Sequence, residues 1–385
     1  MKKIVMLAGI VLFITSCKKD DAPSVSNDEK KEVLNNYATI VHASYEDSYN
    51  AAVNLKTKID AFVATPTAAN FTTCKDAWKA SRLPYGQTEA YRFYEGPIDN
   101  ANGPEGLINA WPMDESYVDY ISTNATTGII NDPVGFPAIT KTVLENANEN
   151  GGETNIATGF HAIEFLLWGQ DLSTSGPGAR PFTDYVTGAG GTASNQSRRG
   201  TYLKVAADLL VDNLLELVNQ WKTGGAYRTT FTNTLNADSA LTYLVRGIGE
   251  LSKGELAGER MTVALTNQDQ EDEHSCFSDN THIDIQMNFV GIENVYLGQY
   301  TRTSGVIIKG KSLSDIVSKL NATKNNAETT QLADARTKVY AIPAPFDQQI
   351  IGDPGGKVVA AINSLRLVSD KLADAVFVLG VKVSF

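Results

Sequence analysis

The chain is 385 residues long, enough for one large domain or two domains of ordinary size. Hydrophobic residues make up 42% of it and charged residues 20%, so extensive disorder is excluded. The formal net charge is −11. This charge argues against a nucleic-acid-binding protein, which needs a basic surface, and it is compatible with a cationic ligand.

The first sixteen residues have the pattern of a secretory signal. A basic start, Met-Lys-Lys, precedes an apolar run at 4–14 that is too short to span a bilayer as a mature helix. The run ends in Ile-Thr-Ser-Cys at 14–17, which resembles the bacterial lipobox. The resemblance implies a signal peptide at 1–16, lipidation of Cys17 and anchoring by acyl chains. An ordinary secretory signal with a coincidental cysteine is the alternative.

Residues 17–32 are predicted to form a flexible tether, since they are polar and contain a proline. Lys18-Lys19-Asp20-Asp21 follows Cys17, and the lack of an aspartate directly after the cysteine favours the outer membrane over the inner one. The Lys-Asp-Asp sequence also resembles export signals of surface lipoproteins, although a plain solvated tether would look the same. We therefore expect an outer membrane lipoprotein that faces the periplasm or the cell surface.

From residue 33 onward, apolar residues recur at the spacing of amphipathic helices. The predicted helices lie near residues 33–55, 71–94, 114–122, 201–221, 241–265 and 358–379. Proline and glycine cluster between them, and the segment 169–200 is long enough for a functional loop. Alternating strand patterns bounded by turn pairs are missing from the sequence. The pattern predicts an all-α protein with a break near residues 222–235.

Two cysteines remain in the body of the chain, Cys74 and Cys276. They have no CxxC spacing for zinc and are too few for a disulfide scaffold. One long-range disulfide and two buried thiols both fit this pattern.

The strongest chemical signal is the sequence TGFHAIEFLLWG at residues 158–169. His161 and Glu164 are three positions apart, so on a helix they share a face and can bind one cation together. Their neighbours are apolar, which makes an unpaired His and Glu costly to bury. A buried His–Glu hydrogen bond is the alternative, and a metal site needs further ligands from elsewhere.

The segment Gly159-Phe160-His161-Ala162-Ile163-Glu164 matches the GxHxxE signature of the imelysin family, also called the M75 peptidase family. Further segments resemble this family in order and spacing, at residues 77–85, 95–99, 198–203, 254–261 and 271–279. The resemblance implies two helical-bundle domains packed side by side, here 33–225 and 226–385, with a site near their junction. The family also includes periplasmic iron-uptake components, in which HxxE and nearby carboxylates are the proposed metal ligands.

The resemblance extends the ligand set to the first half of the chain. It implies four metal ligands: His161, Glu164, Glu89 and Asp99. Some relatives carry a further glutamate where this chain has Gly86, and Glu95 could replace it. One imidazole and three carboxylates form an oxygen-rich set that suits iron, and manganese, calcium or zinc are possible. For Glu89 and Asp99, a helix cap or a surface charge is the alternative.

A second polar cluster lies in the second half of the chain. Glu255 and Glu259 share a face of an α-helix and repel each other, and Arg260 could neutralise one of them. A second metal site could be drawn from His274, Asp279 and His282. We instead expect these residues to shape the domain junction, and the candidate site-shaping residues are Glu95, Arg82, Glu255, Glu259, Arg260, His274 and Asp279.

Three functions are compatible with these features. The first is a lipid-anchored, extracytoplasmic metal-binding protein in iron acquisition, whose cargo is a metal or a metal chelate and whose partner is an uptake system of the same envelope. The second is a metallopeptidase, although the four histidines form neither HExxH nor HxxEH. The third is a surface module that binds an organic ligand without metal. Enzymatic activity stays open at this stage.

Overall fold

The computed structural model describes residues 23–385, so the predicted signal peptide and the lipidation site Cys17 lie outside the described residues. The described chain is almost entirely helical. Its α-helices are α1 (Asn27–Ala64), α2 (Ala68–Thr88), α3 (Glu105–Ile108), α4 (Glu115–Val118), α5 (Lys141–Ala147), α6 (Gly159–Trp168), α7 (Gln196–Trp221), α8 (Ala226–Thr229), α9 (Ala237–Glu250), α10 (Val263–Asn267), α11 (Thr281–Leu297), α12 (Leu313–Leu320), α13 (Ala322–Val339), α14 (Asp347–Ile350) and α15 (Lys357–Val376).

Strands are confined to one antiparallel hairpin within residues 23–385, formed by β1 (Gln299–Thr301) and β2 (Ile307–Lys309). Two segments are π-helical, Thr230–Thr234 and Leu251–Thr262. None of the helices in the described part of the chain is long and apolar enough to cross a membrane. The prediction of an all-α protein is confirmed.

Helix α1 begins earlier than the sequence suggested. Ser26 and Glu29 form a capping box, in which the Ser26 side chain accepts from the Glu29 amide at 3.2 Å and the Glu29 carboxylate accepts from the Ser26 amide at 2.9 Å. Residues 27–32, expected in the tether, are therefore helical.

Helix α1 joins the two halves of the chain. It packs against α2 and α7 of the first half and against α9 of the second half, while α15 packs against α13 and the π segment Leu251–Thr262. The buried apolar side chains form one continuous core that draws on both halves. The division into domains at residue 226 stays a prediction.

Helices α11, α12 and α13 were not predicted from the sequence. Helix α11 buries residues on most of its surface, including the polar side chains of Asp284 and Asn288. Buried polar side chains interrupt the apolar pattern from which an amphipathic helix is recognised. These same polar side chains face the candidate site.

Helices α2 and α11 cross at two glycines. A Cβ atom added to Gly86 would lie 2.8 Å from Cβ of Met287, and one added to Gly291 would lie 2.4 Å from the carbonyl oxygen of Gln87. A side chain at either position would push the helices apart. At this close crossing, position 86 has no room for the additional glutamate that the family resemblance suggested.

The long segment 169–195 is fixed to the core by buried ion pairs. Arg180 from this segment donates to Oδ2 of Asp119 at 2.5 Å, and Arg199 donates to both oxygens of the same carboxylate, at 2.7 and 2.9 Å. The Tyr185 hydroxyl donates to the carbonyl oxygen of Leu166 at 2.7 Å. These contacts hold the segment against the end of α6.

Cys74 and Cys276 are both buried, and neither forms a disulfide. Of the two alternatives that the sequence allowed, the structure has the pair of buried thiols.

Candidate functional site

Helix α6 is buried on every side, and this buries its two polar residues. All ten of its residues are inaccessible or nearly so, and the exposed fraction of both His161 and Glu164 is 0%. The helix starts at Gly159, whose φ of 81° and closeness to the carbonyl oxygen of Ile108 leave no room for a side chain. Burial on all sides means that each polar atom of this pair needs a partner inside the protein.

Glu164 uses both of its carboxylate oxygens inside the protein. Oε2 lies 3.0 Å from Nδ1 of His161, and Oε1 accepts hydrogen bonds from the backbone amide and the hydroxyl of Ser278, at 3.0 and 2.6 Å. Nε2 of His161 is buried and has no hydrogen-bond partner among the described residues. Glu164 therefore orients the imidazole, and Nε2 is the atom that the arrangement leaves available.

Burial controls the protonation of this pair. It lowers the pKa of His161 well below its ordinary value, helped by the nearby His274 and Arg82, so the imidazole is neutral at pH 7. Burial also raises the pKa of Glu164 to about 8, against the opposing effect of the hydrogen bonds from Ser278. In either state of Glu164, one proton lies between Oε2 and Nδ1. When the carboxylate is ionised, this proton is on Nδ1 and Nε2 presents a lone pair. When the carboxyl group is protonated, as a pKa of about 8 implies at pH 7, the proton is on Oε2 and Nε2 carries the hydrogen of the ring. A cation that binds Nε2 therefore has to displace one proton from this pair.

A second imidazole lies beside the first. The rings of His274 and His161 have centroids 4.7 Å apart and planes inclined at 73°. Nδ1 of His274 lies 2.9 Å from Oδ2 of Asp284, and Arg82 donates to both oxygens of that carboxylate, at 3.1 and 2.8 Å. Burial lowers the pKa of His274 to about 4, so this ring is neutral as well. Burial alone would raise the pKa of Asp284, but Arg82 and His274 hold it well below its usual range.

Glu89 belongs to a neighbouring ion cluster. Its Oε2 accepts from Arg260 at 2.6 Å and from Arg92 at 2.8 Å, while its Oε1 is buried without a hydrogen-bond partner among the described residues. Burial alone would raise its pKa, but the two arginines hold the pKa of Glu89 well below its ordinary value. Arg260 also donates to Asn288 at 2.6 Å. The carboxylate is thus neutralised before any cation approaches.

Arg260 reaches its partners because the helix has a π register here. In the π segment Leu251–Thr262, residues five apart are aligned, and Arg260 donates to Glu255 at 3.1 Å. Glu255 and Glu259 both line the same cavity, and Arg260 pairs with Glu255. Glu259 is exposed. Single π turns inside helices are often found at functional sites.

Asp99 fixes its own loop. Its carboxylate accepts from the backbone amide of Phe93 and from that of Gly96, the latter at 2.8 Å. Glu95, at the tip of the same loop, is exposed and has a left-handed φ of 57°. The backbone contacts engage both oxygens of Asp99.

A cavity of about 560 Å³ lies beside His274. His274 and Trp111 line it, and the ring of His161 packs behind them, with its centroid 5.0 Å from that of Trp111. The charged residues of the wall are mainly acidic: Arg92, Glu105, Glu149, Glu153, Glu255, Glu259, Arg260 and Asp272. The cavity is suited to a cationic ligand.

The predicted metal ligands fall into three separate groups. His161 and Glu164 contact each other, Glu89 lies in the arginine cluster, and Asp99 lies in its own loop. Within residues 23–385, no three His, Cys, Asp or Glu side chains converge as they would around a metal ion. The alternative set of His274, Asp279 and His282 does not converge either.

The contacts of Asp284, Asn109 and Ser278 with the site were not predicted from the sequence, which suggested Ser278 only as a possible cap of the next helix. Ser278 lies within a segment that resembles the family, but nothing in its spacing indicates its bond to Glu164. The bond joins residues 114 positions apart in the chain. Such pairings become visible only after folding.

The serine hydroxyls near the site do not form a catalytic triad. Ser278 donates to Glu164 at 2.6 Å, and Ser275 donates to Asp284 at 2.6 Å. In a serine hydrolase the hydroxyl is bonded to the imidazole, which takes its proton. Here both hydroxyls bind the carboxylates behind the imidazoles, so they hold the rings in place.

The family model of the imelysins, peptidase family M75, matches residues 41–372. The chain belongs to the imelysin family. The resemblance carried by GxHxxE is therefore confirmed. This imelysin is 26% identical over 377 residues to iron-regulated protein A of Synechococcus elongatus, covering 95% of this chain and 89% of that protein.

Two solved structures are similar to this imelysin. One, described as an iron-regulated protein A precursor, comes from Parabacteroides distasonis, with a TM-score of 0.73, 19% identity, and coverage of 91% of this chain and 95% of that one. The other is an imelysin-like protein from Psychrobacter arcticum, with a TM-score of 0.65, 15% identity, and coverage of 94% and 99%. At these identities the likeness shows the fold, which is all-α.

Proposed function

We propose that this imelysin is a lipid-anchored, extracytoplasmic metal-binding protein that acts in iron acquisition and binds its cation at His161. The observation that supports this most directly is the environment of that imidazole. It is fully buried, Glu164 holds Nδ1, and Nε2 has no partner among the described residues. Histidines that ligate metals typically have their second ring nitrogen held by a carboxylate or a carbonyl group in this way.

In this proposal the cation approaches the imidazole from the acidic cavity. Its carboxylates attract a positive ion electrostatically, and Trp111 and His274 at its wall contact the ring of His161. In this proposal Glu164 positions the ligand, and the metal is cargo that is later released. The name of the Synechococcus relative supports iron as that cargo.

The proposed location follows from the N-terminal sequence. Lipidation of Cys17 would hold the body of the protein at the outer membrane, facing the periplasm or the cell surface, next to an uptake system of the same envelope. Replacing Cys17 with Ala is expected to move the protein from the membrane fraction to the soluble fraction. Equal membrane association of the two proteins would contradict the anchor.

The metal site is tested by anaerobic calorimetric titration of residues 18–385 with Fe(II). We expect one ion per chain in the wild type, and binding at least 100-fold weaker in His161→Gln, which loses the proposed ligand. His42→Gln is the matched control, because His42 is a half-buried histidine on α1 outside this cluster. The absence of Fe(II) binding in the wild type, or unchanged binding in His161→Gln, would overturn the proposal.

The wild type and His161→Gln also test the metallopeptidase alternative. In a metallopeptidase, Glu164 or another carboxylate would act as the base, and Glu164 already has both oxygens bonded to Ser278 and His161. We therefore expect the iron-loaded protein to leave an unfolded peptide substrate intact. Cleavage that is lost in His161→Gln would favour the peptidase instead.

A further inference from the structure

We infer that His274 supplies a second nitrogen ligand to the cation bound at His161. The inference rests on the proposed function, and it goes beyond the ligand set implied by the family resemblance, which contains one histidine. The centroids of the two imidazole rings are 4.7 Å apart, so the two histidines are direct neighbours. His274 also lines the cavity from which a cation would arrive.

The hydrogen bonds around His274 leave its Nε2 unprotonated. Arg82 donates from Nη1 to Oδ1 of Asn109 at 2.6 Å, which fixes the orientation of that side-chain amide. The NH₂ group of Asn109 therefore faces Nε2 of His274, at 3.3 Å, and donates to it. The proton of the ring is then on Nδ1, where Asp284 accepts it at 2.9 Å. Nε2 is a lone-pair donor held by one long hydrogen bond that a cation can replace.

The hydrogen-bond partners that orient His274 are of the same kind as those that orient His161. Asp284 accepts from two nitrogens of Arg82 and from the hydroxyl of Ser275, the latter at 2.6 Å, and the whole group is buried. Arg82 Nη2 also lies 3.4 Å from Nδ1 of His274, because both atoms approach the same oxygen of Asp284. Each imidazole thus has a carboxylate on Nδ1, and each carboxylate is itself held by a serine. Partners of this kind orient and strengthen metal-binding histidines.

The atoms that can ligate the cation are those not already engaged in ion pairs. Glu89 is held by Arg260 and Arg92, and Asp284 is held by Arg82. The protein therefore offers nitrogen to the ion, and water or a chelating group completes the coordination. Imidazole donors suit Fe(II) and Zn(II), whereas Ca(II) and Mn(II) prefer oxygen. The site should favour the first two ions, which differs from the oxygen-rich set expected from the sequence.

The test is anaerobic titration of residues 18–385 with Fe(II), Zn(II), Mn(II) and Ca(II). We expect His274→Gln to weaken Fe(II) and Zn(II) binding at least tenfold, and wild-type affinity for Zn(II) to exceed that for Ca(II) and Mn(II). His282→Gln is the matched control, because His282 is a partly buried histidine in the same region without a carboxylate on its Nδ1. Its affinities should equal those of the wild type.

A second measurement does not depend on a variant that folds. In the wild-type protein loaded with Co(II), each ligating imidazole gives one strongly shifted, exchangeable proton resonance from Nδ1–H. Two such resonances support the inference, and one overturns it. His274→Gln with wild-type affinity, or Ca(II) bound more tightly than Zn(II), would also overturn it. In those cases loss of binding in His161→Gln would still uphold the proposed function, whereas no metal binding in the wild type would remove both.

Discussion

Glu164→Gln is expected to weaken metal binding without unfolding the protein. Glutamine has nearly the same shape, and its Oε1 can still accept the amide and the hydroxyl of Ser278. Its NH₂ group then faces Nδ1 of His161 and donates where the carboxylate accepted. Nδ1 must become the acceptor, so the hydrogen of the ring moves to Nε2. The variant thereby blocks the one atom of His161 that is proposed to bind the cation.

The magnitude follows from the change at one supporting residue. Removing the partner of a metal-bound histidine typically costs 10–100-fold in affinity. This corresponds to about 1.4–2.8 kcal/mol of binding free energy. The number of hydrogen bonds within the site is unchanged, so the free energy of unfolding should change by less than about 1.5 kcal/mol. Loss of binding and retention of stability are therefore expected together.

Calorimetric titration with Fe(II) measures the first quantity, and urea denaturation measures the second. The tautomer of His161 in the metal-free variant can be read from the nitrogen chemical shifts of the ring. Ser278→Ala is a matched control, because the backbone amide of residue 278 can still bond to Oε1 and the carboxylate still accepts from Nδ1. It should lose less affinity than Glu164→Gln. A stable Glu164→Gln protein that binds Fe(II) as tightly as the wild type would refute this reasoning.

Two further expectations concern stability and the rate of binding. Asp119→Asn should cost about 3–5 kcal/mol in the free energy of unfolding, since it removes the buried carboxylate that pairs with both Arg180 and Arg199. The exposed Asp212→Asn should cost less than about 1 kcal/mol. Burial alone would raise the pKa of Asp119, but Arg180 and Arg199 hold this pKa below its usual range. The ionised Asp119 therefore contributes its full stabilisation of the folded state above about pH 4, the pKa of an aspartate in the unfolded chain. The difference between wild type and Asp119→Asn in urea denaturation should therefore shrink as the pH falls further. A triple variant neutralises three exposed carboxylates of the cavity: Glu149→Gln, Glu153→Gln and Glu259→Gln. Stopped-flow measurements at low salt should show Fe(II) association slowed several-fold and the dissociation rate unchanged. The control variant neutralises three exposed carboxylates outside the cavity: Glu32→Gln, Asp76→Asn and Glu216→Gln. An equally slow association in this control would show that only the net charge of the protein matters.

Three long amphipathic helices and the central His–Glu pair could be predicted because both depend on local spacing. Apolar periodicity located α1, α7 and α15, and the i, i+3 rule placed His161 and Glu164 on one face. The structure has this pair in contact. The spacing could not indicate whether the carboxylate oxygens of Glu164 are free to bind a metal. Ser278 engages Oε1 of Glu164, and it lies 114 residues away in the chain.

The roles of the other candidate residues depend on contacts that are distant in the chain or on an irregular backbone. Glu89 meets Arg260 across 171 residues, and this pairing makes a predicted ligand into an ion-pair partner. Asp99 matched the family pattern, but its oxygens engage the amides of its own loop. The π register of residues 251–262 aligns Glu255 with Arg260, and a 3.6-residue period cannot predict that alignment.

Charge balance indicates what the acidic residues contribute to the site. Three arginines lie at the buried cluster, Arg82, Arg92 and Arg260, and they pair with four carboxylates: Glu89, Asp284, Glu105 and Glu255. With Glu164 protonated, these carboxylates exceed the arginines by one charge, so a divalent cation at the imidazoles adds more positive charge than they balance. The compensating charge must come from the wall of the cavity, whose carboxylates act over distance and need not coordinate the ion. Affinity for the cation should therefore fall with ionic strength, whereas direct carboxylate ligation would be much less sensitive to salt.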